Sequence, residues 1–254
     1  MDIILYILCG LSAGLLAGYL GLGGGIVMVP YLTIVTGLDF KTAVPVSVSA
    51  IMVNSLAASN EYLKKGMVDI EMVIVLSLFM VIGNITGSNL SQVIPSDFIR
   101  LVFTVLLIYT ALSLLKDKKK SEQISFSDNR MKMFFITVVI SFFTGILAGL
   151  LGIGGGVILV PVLYLVVGLP LTTARGTSSL MVGFSAAAAA TVYFLNGMID
   201  YMVVAPVITG VVIGGKLGGY LGTIAKPKIV KIIFVCVMLY LAFKLGYEPL
   251  MEIL

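Results

Sequence analysis

Two short runs of glycine carry most of the chemical information in this chain: Gly21-Leu22-Gly23-Gly24-Gly25 and Gly152-Ile153-Gly154-Gly155-Gly156. Each interrupts an apolar stretch, and a proline follows each, at Pro30 and Pro161. Glycine costs about 1 kcal/mol in a helix interior relative to alanine, so three in a row should break the helix. A break leaves backbone N–H groups free at the start of the next half-helix, near Ile26 or Val157. Free amides and the positive end of the helix dipole suit an anion. Gly23, Gly24, Gly25, Gly154, Gly155 and Gly156 are therefore the first candidates to hold a negatively charged solute. Neither run is a nucleotide P-loop, because no Lys-Ser or Lys-Thr follows. Close helix packing by small residues is the competing reading, and it fits Gly14, Gly18, Gly145 and Gly149 better.

Polar side chains inside apolar segments come next. Ser47, Ser49, Asn54, Ser55 and Ser59 fall in one such segment, and Thr177, Ser178, Ser179 and Ser185 in another. Hydroxyls and amides donate hydrogen bonds without neutralising charge, which suits an oxyanion. They serve equally to bond helices together or to bond back to their own helix. Ser47, Asn54, Thr177 and Ser178 are the candidates for the solute. Ser47, Asn54 and Ser55 lie about two turns apart and can share one helix face. Lys216, in Gly214-Gly-Lys-Leu-Gly-Gly219, is either a functional cation within the membrane or a lysine that snorkels to its surface. Arg175 either attracts anions at the mouth of its segment or anchors topology. Asp69 and Asp200 each follow a Gly-Met pair and read as helix N-caps. The chain has no His, and Cys9 and Cys236 sit in apolar segments, so neither a metal, a redox pair nor another cofactor is expected. An intramembrane enzyme would need a nucleophile with a base, or a metal cluster, and the pattern offers neither.

The elements that must position these groups are membrane helices. Hydrophobic residues make up 59% of the 254 and charged residues 11%, where a soluble domain carries about 25% charged. Such a chain needs a lipid-facing exterior. Asp2 is the one charge before the first apolar run, so a cleaved signal peptide is not expected. Apolar segments fall at 3–21, 25–38, 43–62, 67–90 and 98–116, then at 133–151, 156–168, 172–195, 199–222 and 228–246. The segments at 25–38 and 156–168 are short for a crossing of about 20 residues. They are either tight crossings or the return arms of re-entrant hairpins that turn at the glycines.

The segments also repeat. Gly14 to Gly25 aligns with Gly145 to Gly156, a shift of 131 positions, with Pro30 over Pro161 and Gly37 over Gly168. Ser47/Ser178, Gly66/Gly197, Asp69/Asp200, Gly83/Gly214, Gly87/Gly218 and Tyr109/Tyr240 continue the match. The reading is two transmembrane repeats, 1–116 and 132–254, joined by a polar linker at 117–131. The linker's basic run puts it on the cytoplasmic side. Each half has an odd number of passes under either count, so the second is inverted relative to the first. Lys64, Lys65, Arg175, Lys226, Lys228 and Lys231 then fall inside, and both termini fall outside. The expected fold class is an all-α polytopic membrane protein of two inverted-topology repeats, with broken or re-entrant helices at the glycine motifs. Inverted repeats are a transporter architecture with a site near the midplane.

Gly21-Leu-Gly-Gly-Gly-Ile-Val-Met-Val-Pro30, Gly152-Ile-Gly-Gly-Gly-Val-Ile-Leu-Val-Pro161, Ala174-Arg-Gly-Thr-Ser178 and the Gly214 to Gly218 run together resemble the TauE/SafE sulfite exporter family, over essentially the whole chain. The resemblance implies a bacterial or archaeal inner-membrane permease that carries sulfite, sulfonates or related organosulfur anions, generally outward. It also implies that the glycine motifs and Thr177-Ser178 line the path. The first half departs from the Arg-Gly-Thr-Ser pattern with Val44-Pro-Val-Ser47. An exporter working by alternating access is the leading expectation, and a passive anion channel of the same fold is the alternative. A structural subunit would instead form tight oligomers without flux. The expected partners are a small anion and the lipid bilayer, with a homo-oligomer allowed and nucleic acid not expected. Gly24→Leu or Gly155→Leu is expected to abolish ligand response without unfolding the protein.

Overall fold

The computed structural model describes residues 2–21, 25–115, 130–226 and a subset of those between 228 and 243. The described residues form α1 (Asp2–Leu20), α2 (Gly25–Thr36), α3 (Phe40–Lys64), α4 (Ile70–Leu90), α5 (Ser96–Leu115), α6 (Arg130–Leu151), α7 (Gly156–Leu165), α8 (Leu171–Leu195) and α9 (Tyr201–Ile224). Those described from 228 onward are also helical. Among the described residues five helices are long and apolar enough to cross a membrane: Ile3–Leu20, α3, α4, α8 and α9. Large apolar side chains such as Ile74, Leu78, Leu195 and Met202 stand exposed on the outside of the bundle, as a lipid-facing surface requires. The chain is a multi-pass membrane protein.

Helix boundaries follow from local chemistry, and the same chemistry recurs at the shift of 131. At the end of α3 the Met67 N–H donates to Tyr62 O and the Gly66 N–H to Leu63 O. At the end of α8 the Met198 N–H donates to Tyr193 O and the Gly197 N–H to Phe194 O. Both are Schellman closures, with Gly66 at φ +64° and Gly197 at φ +66°, where a residue with a Cβ would be strained. Three residues on, Asp69 and Asp200 cap α4 and α9 by accepting from the Met72 and Met202 N–H groups. The expected capping role is what the geometry gives.

Both glycine runs break their helices. α1 stops at Leu20 and α2 starts at Gly25; α6 stops at Leu151 and α7 starts at Gly156. Cys9 Sγ lies 3.9 Å from Met28 Sδ, so α2 folds back along α1 rather than continuing it. At 12 and 10 residues, α2 and α7 are about 18 and 15 Å long at a rise of 1.5 Å per residue, about half the hydrocarbon core.

Glycines set the directions of the long helices. A Cβ at Gly10 or Gly14 of α1 would strike the backbone of Val207 or Val211 of α9, and one at Gly18 would strike Gly215. The two helices therefore run in parallel at backbone contact. Gly83 and Gly87 of α4 meet Phe142 and Ile146 of α6 in the same way. α3 and α8 cross antiparallel at the centre: Ser179 Oγ donates to Ser55 O, while Gly176 lies against Tyr62 and Met67. Asn54, Ala58 and Tyr62 of α3 face Gly215, Gly219 and Gly222, so α3 runs parallel to α9. Asn84 and Ser91 of α4 bond Ser185 and Tyr193, so α4 runs parallel to α8. Thus α1, α3 and α9 point one way, and α4, α6 and α8 the other.

Candidate functional site

The polar groups of α3 and α8 face inward. Ser47, Asn54, Ser55, Thr177, Ser178, Ser179 and Ser185 are all buried, on the two helices around which the rest is wrapped. The second glycine break packs against that centre. A Cβ at Gly154 would come 2.8 Å from Val182 and 2.9 Å from Ile51, near the middles of α8 and α3. Gly154 and Gly155 adopt φ of +73° and +77°, and a Cβ at Gly155 would also press on Met80 and Thr144. These two positions take glycine for conformation and for space at once. A leucine at 155 would therefore destabilise the fold, which overturns the expectation that Gly155→Leu leaves folding intact. Gly156 opens α7, whose ladder begins with the Ile158 and Leu159 N–H groups donating to Gly155 O. The amides before them have no partner within the helix. Gly25 opens α2 in the same way; Gly23 and Gly24 lie outside the described residues.

Ser47 joins the second break directly, donating from Oγ to Gly152 O at 2.9 Å. Ser178, its counterpart 131 positions on, is fully buried, and its Oγ has no hydrogen-bond partner. It lies one turn along α8 from Arg175, whose backbone touches Gly21 at the edge of the first break. A buried hydroxyl without a partner costs about 1–3 kcal/mol, and a bound acceptor would offset it.

Other candidates are placed differently. The Thr177 hydroxyl accepts from the Asp69 N–H at 2.9 Å and so ties α8 to the loop before α4. Asn54 is buried with its Oδ1 against Gly14 and Gly215, where α1, α3 and α9 meet. Lys216 is exposed on the flank of the bundle, in an open groove it shares with Ser59, Asn60, Lys64 and Leu180. It does not join the central polar groups, because its side chain leaves α9 about 100° round the helix from Gly215, toward that groove. Arg175 is not at a surface mouth. It is fully buried and donates to Tyr19 O and Gly222 O, each at 2.9 Å, and to Leu171 O at 3.4 Å. Its guanidinium carbon stands 5.9 Å from the Tyr62 ring centroid. Among the described residues no carboxylate pairs with it, and the ion pair found there is Lys64–Glu61. Tyr19 and Gly222 close the last turns of α1 and α9, where helix dipoles present negative charge, and this compensates the burial of the cation.

Reading by residue type missed three participants. The Tyr62 OH donates to Gly18 O at 3.1 Å and the Tyr193 OH to Gly149 O at 3.0 Å, two bonds that map onto each other at the shift of 131. Their signal was the tyrosine identity at 62 and 193. Asn84, fully interior, donates from Nδ2 to the Ser185 backbone oxygen and to its hydroxyl. Its counterpart position is Gly215, against which Asn54 lies, so one amide fills each place from a different helix.

Comparison with known proteins places this architecture. No solved structure matches the chain. It is 27% identical to the probable membrane transporter protein YunE of Bacillus subtilis, with 98% of each chain covered. It is 24% identical to the probable membrane transporter protein YdhB of the same organism, over 81% of this chain and 84% of that one. Over 42% of this chain and 24% of the other it is 33% identical to sulfite exporter TauE/SafE family protein 5 of Arabidopsis thaliana. The family described as sulfite exporter TauE/SafE matches residues 6–245, which is nearly the whole chain, and this membrane transporter belongs to that family.

Proposed function

We propose that the protein exports a small organosulfur or sulfite-like anion across the inner membrane of a bacterium or archaeon, by alternating access between two inverted repeats. The observation that carries this reading is the central pair α3 and α8, antiparallel counterparts at the shift of 131, with a broken helix and buried hydroxyls packed between them. The opposite directions of counterpart helices support inversion. Lys64, Lys65, Arg175 and Lys226 gather at one end of the bundle, and on the positive-inside rule that end is cytoplasmic. The half-helix N-termini at Gly25 and Gly156 and the Ser178 hydroxyl are the groups assigned to the anion.

Counterflow in proteoliposomes tests the transport step. Trapped unlabelled sulfite or sulfoacetate should accelerate uptake of the labelled anion by a carrier. A pore gives no acceleration, and that result would replace alternating access with the channel reading. A thermal-shift screen against sulfite, sulfoacetate, taurine, thiosulfate and chloride ranks the solutes, since stabilisation grows with ligand concentration over affinity.

A further inference from the structure

At the end of the bundle away from Arg175 there is a cavity of about 320 Å³. Lys41, Val44, Ser91, Gln92 and Tyr193 line it, with Met198. The shift of 131 carries these positions onto Thr172, Arg175, Gly222, Thr223, Tyr62 and Met67 at the opposite end. There the equivalent space is filled. The Arg175 side chain, with no exposed surface, occupies it and ties Tyr19 O of α1 to Gly222 O of α9. Tyr62 and Tyr193 make equivalent bonds, to Gly18 O and Gly149 O, so the frames of the two sites agree. Lys41, Val44, Ser91 and Gln92 differ from Thr172, Arg175, Gly222 and Thr223, and the largest change in reach is Val44 against Arg175. Valine is too short to reach across, and arginine reaches across and closes.

The open cavity has its own chemistry. Its walls are mostly apolar, from Phe40, Val44 and Leu150, with an ammonium at Lys41 and a neutral amide donor at Gln92; the Ser91 and Tyr193 hydroxyls bond each other, and Tyr193 donates to Gly149 O. Asp39, two residues before Lys41, accepts from its backbone N–H at 3.0 Å, and its carboxylate offsets part of the lysine's attraction for anions. An anionic head on a short carbon body fits this lining.

We propose that the cavity beside Val44 is an open vestibule for a small organic anion, and that Arg175 plugs its counterpart, so that the residue at the 44/175 position decides which end is open. This rests on the transporter reading, but its test measures access rather than flux. In a Cys9→Ala, Cys236→Ser background, Gln92→Cys reports the open end and Thr223→Cys the closed end, where Thr223 is 8% exposed. The probe is the impermeant anion sulfonatoethyl methanethiosulfonate, applied to membrane vesicles of each orientation. Gln92→Cys should react rapidly and Thr223→Cys slowly. Arg175→Val should raise the Thr223→Cys rate about tenfold or more, since hydrogen bonds from a charged donor are lost. Val44→Arg, whose guanidinium can reach the carbonyls of Leu150 and Ser91, should slow Gln92→Cys by a similar factor. Lys41→Gln should slow the anionic reagent more than its trimethylammonium analogue. Should Val44→Arg fail to fold, Arg175→Val decides alone. Unchanged Thr223→Cys reactivity in a folded Arg175→Val protein overturns the plug, and equal effects of Lys41→Gln on both reagents overturn the anion preference. If instead the gate responds as expected and counterflow fails, the transport reading falls and the gate stands.

Discussion

Ser47 and Ser178 occupy equivalent positions in helices that cross at the centre, yet one hydroxyl is bonded and the other is not. That difference separates a structural role from a solute role. Ser47→Ala should cost about 1 kcal/mol of stability, the net worth of a buried hydrogen bond, and lower the melting temperature in detergent. Ser178→Ala removes an unsatisfied group, so it should leave the melting temperature unchanged or raise it. It should also shrink the stabilisation given by the best solute in the thermal-shift screen. If Ser178→Ala leaves that ligand response whole, the hydroxyl does not touch the solute. Residue type alone pointed to both serines, because each is a hydroxyl in an uncharged segment. It gave no way to tell which was already bonded, since Gly152 O reaches Ser47 across a sequence separation of 105 residues. Lys216 stayed open between a functional cation and a snorkelling lysine for a related reason: depth along a helix is legible in sequence, but whether a side chain leaves that helix toward the centre or the flank depends on its neighbours.

The helices were legible as elements because each carries its boundaries with it. Gly66-Met-Val-Asp69 and Gly197-Met-Ile-Asp200 each end one helix and cap the next. The way helices pair was less legible, because a glycine stripe states that two backbones approach without naming the partner. α1 uses Gly10, Gly14 and Gly18, and α9 answers with Gly210, Gly214 and Gly218 against Ile7, Leu11 and Leu15. Gly214→Ala would put a Cβ on Leu11 O, and overpacking of this kind costs about 1–3 kcal/mol. Gly37 has open space around it, so Gly37→Ala should cost only the strain of its positive φ, about 1 kcal/mol. Unfolding in mixed micelles should separate the two variants in that order. The amide at the centre permits a sharper test. Asn84→Gly removes the bonds to Ser185, and adding Ser185→Asn rebuilds the Asn-against-Gly arrangement of the other half. The double variant should recover part of the stability lost by Asn84→Gly, with a coupling of about 0.5–3 kcal/mol. Additive losses would mean that the two halves do not use this place in the same way.

For the whole molecule, the consequence of duplication is that one local structure is presented at both ends of the bundle. Lys65 and Asn196 are equivalent residues, each the C-cap of a central helix and each beside a Schellman glycine. Because α3 and α8 run antiparallel, these two loops leave opposite ends of the bundle. Lys65→Cys should therefore resist an impermeant maleimide in intact cells and react in inside-out vesicles, while Asn196→Cys should do the reverse. Labelling of both from one side would remove the inverted topology and, with it, the basis for alternating access. Charge makes the same assignment independently. Lys64 and Lys65 lie at the same end of the bundle as the buried Arg175 and Lys226, whereas the Asn196 loop carries Asp200. Exchanging these loop charges, with Lys64→Glu and Lys65→Glu set against Asn196→Lys and Asp200→Lys, should weaken the orientation bias and yield a mixed population on labelling. A transporter of this kind needs two ends that are alike in frame and unlike in state. The valine and arginine at positions 44 and 175 supply that difference in a fold whose two ends share the tyrosine bonds to Gly18 O and Gly149 O.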